Sequence, residues 1–276
     1  MKLALAIVLL VVSASVDAQR IAIVEPETVL IEGLASTVRA GLGNHFRVVD
    51  DSMANSAFRS VTLAAPFNLT TAEARHLGEV LGVSSYILLR SAVQRRASID
   101  RPGYFEAYAI AYVVNSRSGS LIGWFRESEE GANEKDAREK LLDNSKSIAD
   151  RITSSLKSNR FSIVRDAKFG EVPPEGSSLA DGLRTPVPYR RLRPEYTDLA
   201  SSYGVRATVD IEVDIDADGT IARTSIERWA GFGLEESVEK AVRSMNWRPA
   251  ERNGKPLPMR ILLRYNFVKV EKDEAS

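Results

Sequence analysis

The chain of 276 residues has no cysteine, only two histidines and an aromatic content of 7%. The lack of cysteine excludes a disulfide scaffold, a thiolate metal site, a cysteine nucleophile and a lipid-modified amino-terminal Cys. His45 and His76 each stand alone, without a partner at the His-x-x-x-His spacing of a metal site. An excess of either charge is also missing, since 37 Lys and Arg face 37 Asp and Glu. Balanced charge leaves no electrostatic footprint for nucleic acid, and no basic stretch interleaved with aromatics suggests a single-strand groove. There is no Gly-x-Ser-x-Gly elbow, P-loop or Gly-x-Gly-x-x-Gly; Gly41-Leu42-Gly43 falls where a helix is expected to end. These absences argue for a binding protein and against an enzyme, with no cofactor or metal expected.

Long hydrophobic runs are scarce as well. Leu3–Val12 follows Lys2 and precedes small residues ending at Val16-Asp17-Ala18, the pattern of a secretory signal peptide (residues 1–18) cut before Gln19. This run falls short of the roughly 20 apolar residues that a spanning helix needs. Export with cleavage is therefore expected, and retention as a membrane anchor is the alternative.

Residues 19–165 alternate element types. "IAIVE" has the character of a buried strand, Glu27 to Leu42 has helical spacing, and "FRVVD" is a second strand, so the three make a βαβ unit. After an irregular stretch, Thr70 or Thr71 can cap a helix with Leu77, Val80 and Leu81 inward and Gly82 just past its end. Three strands follow, "SYILLRSAVQRRAS", "YFEAYAIAYVVNS" and "LIGWFRESEE", the last two joined through Arg117–Ser120. A long helix from Glu134 to Leu156 closes a mixed α/β sandwich. In element order alone it resembles the small α/β domains of the curli-secretion and Tol families. Residues 166–193, rich in Pro, Gly, Ser and Arg, have the composition of a partly extended, solvated linker. Arg184, Arg190, Arg191 and Arg193 within it are candidates to meet an anionic partner.

In residues 194–270, Tyr196, Leu199, Ala200 and Tyr203 share a helical face. The stretch "DIEVDIDADGTIARTSI" then has two incompatible interpretations. Asp214, Asp216, Asp218 and Gly219 match the start of an EF-hand loop, but position 12 is Ser225 where a bidentate Glu is required. Strict alternation of Ala207, Val209, Ile211, Val213 and Ile215 with Thr208, Asp210, Glu212, Asp214 and Asp216 favours a strand whose acidic face is solvated. Asp218-Gly219 suits a type I′ turn into a partner strand, Ile221 to Trp229. Leu234, Val238, Ala241, Val242 and Met245 have helical spacing, with Glu235 and Glu236 at its start. "LPMRILLRYNFV" supplies a last strand with Met259, Ile261, Leu263, Tyr265 and Phe267 inward.

Pro194-x-Tyr196, Ala200, Gly204, Val209 to Ile215, Asp218-Gly219, Ile226, Gly231, Leu234, Ala241 and above all "WRPAERNGKPLP" (Trp247, Pro249, Ala250, Asn253, Gly254) resemble the carboxy-terminal domain of TonB-family proteins over residues 186–267. The resemblance implies an α+β chain: the α/β sandwich followed by a small helix-hairpin-helix-strand domain with a three-stranded antiparallel sheet in the periplasm. It also implies that a partner peptide, from an outer-membrane receptor or another envelope protein, adds as a strand beside Arg260, Ile261, Leu262, Leu263, Arg264, Tyr265, Asn266 and Phe267. An edge strand supplies main-chain bonds for affinity, and outward Arg260 and Arg264 are expected to deter self-pairing or to select an acidic peptide. Two departures stand out: Thr197 replaces the family's Pro after Tyr196, and Trp229-Ala230-Gly231 replaces its Ser-Gly. An energy transducer also needs an inner-membrane helix and a Pro-rich arm, in whose place this chain has a cleavable signal and a folded domain. Three functions remain open: a transducer in outer-membrane transport, a soluble envelope adaptor without energy coupling, and an enzyme or small-ligand carrier hidden in the first domain.

Overall fold

The computed structural model describes residues 19–27, 31–97, 103–158, 166–174 and 176–269. The expected signal segment and residues 28–30 of the first expected helix lie outside them. In the amino-terminal half, β1 (Arg20–Val24), β2 (Arg47–Val48), β3 (Ser85–Arg96), β4 (Tyr104–Asn115) and β5 (Leu121–Gly131) form one sheet in the order β2-β1-β3-β4-β5. β1 runs parallel to both its neighbours, and β3-β4-β5 is an antiparallel meander. The expected mixed sheet is therefore present. β4 is buried on both faces, and its alternation is one of size. Ala107, Ala109 and Ala111 face α1 (Leu34–Gly43), α4 (Glu134–Asp143) and α5 (Ser145–Ser158), where small residues admit close helix packing. Tyr108 and Tyr112 point to the other face, beneath α2 (Asp51–Arg59) and α3 (Thr71–Leu81).

Local chemistry explains where these helices begin and end. α1 starts at Leu34 and not at Glu27, because Gly33 takes a left-handed conformation (φ 86°) and the Ile31 N–H is held by Ser91 Oγ at 2.9 Å. The stretch expected to be irregular holds α2, capped by Asp50 through Ser52 and Met53 N–H. Thr70 caps α3 in a reciprocal box with Glu73. The long helix expected over 134–156 is two, broken at Asn144, whose side chain donates to Glu129 on β5 at 3.0 Å. Asp-Asn-Ser at the break are all residues that favour caps over helix interiors.

The carboxy-terminal half adds β6 (Gly170–Glu171), β7 (Leu183–Arg184), β8 (Val187–Pro188), α6 (Asp198–Ser202), β9 (Ala207–Ile215), β10 (Ile221–Arg228), α7 (Leu234–Arg243), β11 (Trp247–Arg248), β12 (Ala250–Arg252), β13 (Lys255–Leu257) and β14 (Met259–Phe267). Its main sheet has the order β10-β9-β14-β6, antiparallel through β10-β9-β14. α7 lays Leu234, Val238 and Val242 into the same core as Val209, Ile211, Val213 and Ile215. The hairpin at Asp216–Thr220 corrects the expected type I′ turn. Gly219 N–H donates to Asp216 O at 2.9 Å and only Gly219 has positive φ, so a three-residue loop ending in a left-handed Gly joins the strands. Asn253 and Gly254 both have positive φ and make the two-residue turn from β12 to β13. The segment expected as a solvated linker pairs instead: β6 with β14, β7 with β12 and β8 with β11.

The two halves share a continuous core. Trp229, 1% exposed, lies 5.8 Å from the Tyr112 ring of β4 and donates from Nε1 to the Gly119 carbonyl at 3.1 Å. Tyr112 OH donates to Ala230 O, and Trp124 of β5 packs 4.8 Å from Phe232. Asn68 bridges the halves, donating to the carbonyls of Thr208 and Trp229 and accepting the Thr208 N–H. Gly119 and Gly231 are required here: a Cβ would meet the Thr71 carbonyl at 1.9 Å in the first case and the Trp124 indole at 2.3 Å in the second. The Trp229-Ala230-Gly231 departure thus sits at the seam. At its far end, Tyr203 OH donates to Glu106 at 2.6 Å, with the Arg96 and Arg126 guanidiniums 5.0 and 5.5 Å from its ring centre. Burial and the Glu106 carboxylate push the Tyr203 phenol up to about 12.

Replacing Trp229 by Ala removes a fully buried indole and orphans the Gly119 carbonyl, so it should cost about 3–5 kcal/mol. Denaturant unfolding followed through both halves checks this. A loss below about 1 kcal/mol, the scale of ordinary substitutions, would mean that the seam does not hold the halves together.

Candidate functional site

β14 is the last long strand of its sheet, and its side chains alternate as the sequence predicts. Met259, Ile261, Tyr265 and Phe267 are buried, while Leu262 is 58% exposed. Arg260 is the exception to outward exposure, at 7%. Its Nε and Nη2 bond both oxygens of Asp214 on β9, at 2.6 and 3.1 Å, and its Nε lies 3.2 Å from Glu212. Arg264 bonds both oxygens of Asp210, at 2.7 and 2.9 Å. From the other side of β9, Arg223 of β10 reaches Asp214 and Glu212, and Arg228 reaches Asp210. Register makes the ladder possible, because Asp214 lies opposite both Arg223 and Arg260, and Asp210 opposite both Arg228 and Arg264.

Two expectations are corrected by this ladder. The acidic stripe is not solvated: Asp210, Glu212 and Asp214 are 2%, 8% and 0% exposed. Nor are Arg260 and Arg264 free cations waiting for an acidic peptide, since both are committed to carboxylates of the same sheet. Burial raises the Asp210 and Asp214 carboxyls, but paired guanidiniums outweigh it and hold both below their ordinary value. The calcium-loop alternative also fails on geometry. Asp214 points into the ladder, Asp216 is bound by Lys168 at 2.9 Å, and Asp218 accepts from Thr220.

A groove of about 510 Å³ opens along the charged face, with Thr71 at the start of α3 on one wall and Arg260, Leu262 and Arg264 on the other. The outer edge of β14 is partly covered by the chain itself. β6 pairs with it in parallel, Gly170 opposite Met259 and Glu171 opposite Arg260. Further along, Arg191 donates to the Arg264 carbonyl at 3.2 Å and lies 5.1 Å from the Tyr265 ring centre. Among the described residues no strand pairs with Ile261–Phe267 on that side. The eight sequence-predicted positions therefore fall on one strand, with its centre open and both ends touched by residues 166–193. A second cavity, of about 580 Å³, lies between the halves beside Trp124, Ile226 and Glu235. Its Glu235 carboxylate, raised by burial, is taken up by the Ala230 and Gly231 N–H groups. His45 and His76 are both exposed.

Residues 193–268 match the family model described as the Gram-negative bacterial TonB protein C-terminal domain. The carboxy-terminal part of the chain is thus a TonB-type domain, as the residues around Trp247–Gly254 implied. Among solved structures, the TonB carboxy-terminal domain of Pseudomonas aeruginosa is 20% identical and covers 39% of this chain and 100% of its own, at a TM-score of 0.28. Lipoprotein GNA1162 from Neisseria meningitidis is 14% identical and covers 51% of this chain and 99% of its own, at 0.34. The PelC dodecamer from Paraburkholderia phytofirmans is 16% identical, with 52% and 91% covered, at 0.27. The comparison with curated proteins returns no match.

Because the folded Asp210 and Asp214 titrate below their unfolded value, their contribution to stability is full above about pH 4 and is lost as pH falls through the lower folded values. Asp214→Ala should cost about 3–5 kcal/mol at neutral pH by leaving Arg260 and Arg223 to share the single Glu212 carboxylate. It should also flatten the acid limb of the stability curve below about pH 4. Urea titrations at several pH values measure both. An acid limb identical to wild type would mean that the ladder does not carry the pH dependence.

Proposed function

We propose that the chain works in the bacterial envelope, exported to the periplasm, where its TonB-type domain takes an extended segment of a partner protein as an added strand beside β14. The partner on this reading is an outer-membrane receptor or another envelope protein, and the setting is outer-membrane transport. The observation that carries it is the open centre of β14, with Leu262 exposed on an edge strand of a TonB-type domain. Unpaired main-chain groups along such an edge template another strand, and Arg260–Phe267 are the positions that would pair. The reading assigns the chain a binding role and no catalytic step. Coupling to an energised inner membrane requires that residues 1–18 stay in that membrane.

The shared core favours a second reading within the same class, that of an envelope adaptor without energy coupling. A transducer's binding domain sits at the end of a long arm, whereas this one is fused to the α/β half through Trp229, Tyr112 and Asn68. The two readings agree on the edge and differ on what moves it.

Leu262→Pro removes a main-chain donor and bends the strand, so it should abolish capture of the partner segment while most of the domain stays folded. Pull-down of envelope proteins by wild-type and variant chains, each checked by thermal melting, measures it. Capture of the same partner at wild-type affinity by a folded Leu262→Pro chain would end the strand-addition reading at this edge.

A further inference from the structure

The edge proposed to take a partner strand is already partly filled, and the filler has a definite chemistry. Residues 166–174, Asp-Ala-Lys-Phe-Gly-Glu-Val-Pro-Pro, meet the first residues of β14 as a strap. Lys168 Nζ bonds Asp216 at the hairpin tip at 2.9 Å and lies 4.8 Å from the centre of the following Phe169 ring. Phe169 is only 5% exposed, so it anchors the strap by burial. Gly170 and Glu171 make the parallel pairing, and the Glu171 carboxylate acts electrostatically on Arg260. Val172 continues into the groove that Leu262 lines. There the ladder stops, and Pro173 and Pro174 account for it, since proline has no N–H to donate.

We infer that this strap is a built-in occupant of the β14 edge, and that the external segment the edge accepts has the strap's own pattern. That pattern is a cation, an aromatic and, three residues further on, an aliphatic, running parallel to β14. The inference rests on the strand-addition reading and names the class of peptide that would satisfy it. Each position has a stated partner: Asp216 for the cation, a buried site for the aromatic, and Leu262 for the aliphatic. Because the strap is covalently attached, it competes at a high effective concentration, and an outside segment binds only in the fraction of molecules whose strap is open. Arg191, bonded to the Arg264 carbonyl, closes the other end of the same edge from the same linker.

The test uses the full chain and a labelled synthetic peptide of residues 166–174. Gly170→Pro removes a strap donor without touching β14, and should tighten the peptide at least about tenfold, the factor expected if the strap is closed nine-tenths of the time. Leu262→Pro added to that variant should abolish binding, and a peptide with its Phe replaced by Ala should bind at least tenfold more weakly. Should Gly170→Pro fail to fold, Phe169→Ala withdraws the anchor and leaves the backbone intact. Equal affinity for wild type and for the opened chain would overturn the inference, as would no binding to either, or indifference to the peptide's Phe. In those cases loss of partner capture in the Leu262→Pro chain would still leave strand addition standing, whereas peptide binding untouched by Leu262→Pro would sink both.

Discussion

Burial of Trp229 against Tyr112 is the contact from which the rest of the arrangement follows. An indole that projects from the end of β10 into the aromatic face of β4 cannot be accommodated by the carboxy-terminal half alone. It needs the Tyr and Trp side chains that β4 and β5 present on the face opposite the β4 alanines, and the Gly119 carbonyl to take its N–H. Asn68 completes the seam by satisfying main-chain groups that would otherwise be buried without partners. The edge of β14 is consequently presented by a single packed body, with the α/β half as its base.

The Arg–Asp ladder acts within that body. A strand with Asp at every second or fourth position would repel itself if folded alone, and each carboxylate here lies between two guanidiniums from the strands on either side. Pairing of this kind fixes register more than it adds net stability, because desolvation offsets much of the Coulomb gain. Register matters for the edge: a one-residue slip of β14 would bury Leu262 and expose Ile261 and Tyr265. The ladder therefore keeps the exposed face exposed.

Much of this was legible in the sequence, and the parts that were not have physical reasons. Period-two alternation in Ala207–Ile215 and Met259–Phe267 located both central strands and their buried faces, and the Trp247–Gly254 motif located the domain. Alternation could not say whether the polar face meets water or arginine, because Arg223, Arg228, Arg260 and Arg264 are distant in sequence and meet the acids only through strand register. The break at Asn144 and the late start of α1 turned on single side chains, Glu129 and Ser91, that lie on other elements. Composition described residues 166–193 as a linker, since two-residue pairings carry no periodicity. Thr197, a departure from the family's Pro, caps α6 through the Ala200 N–H and ties it to the Phe232 carbonyl, a role local sequence only half reveals. The departures at Trp229–Gly231 were visible as departures, but only the packed halves show what they contact.

Native-state amide hydrogen exchange tests most directly the claim that the edge rests on one body. The amides of Ile87 and Val113 in the first half and of Ile211 and Val213 in the second should open with the same free energy and the same dependence on denaturant. Opening of Ile211 and Val213 at a distinctly lower free energy, with Ile87 and Val113 still protected, would show two independent domains and contradict the account.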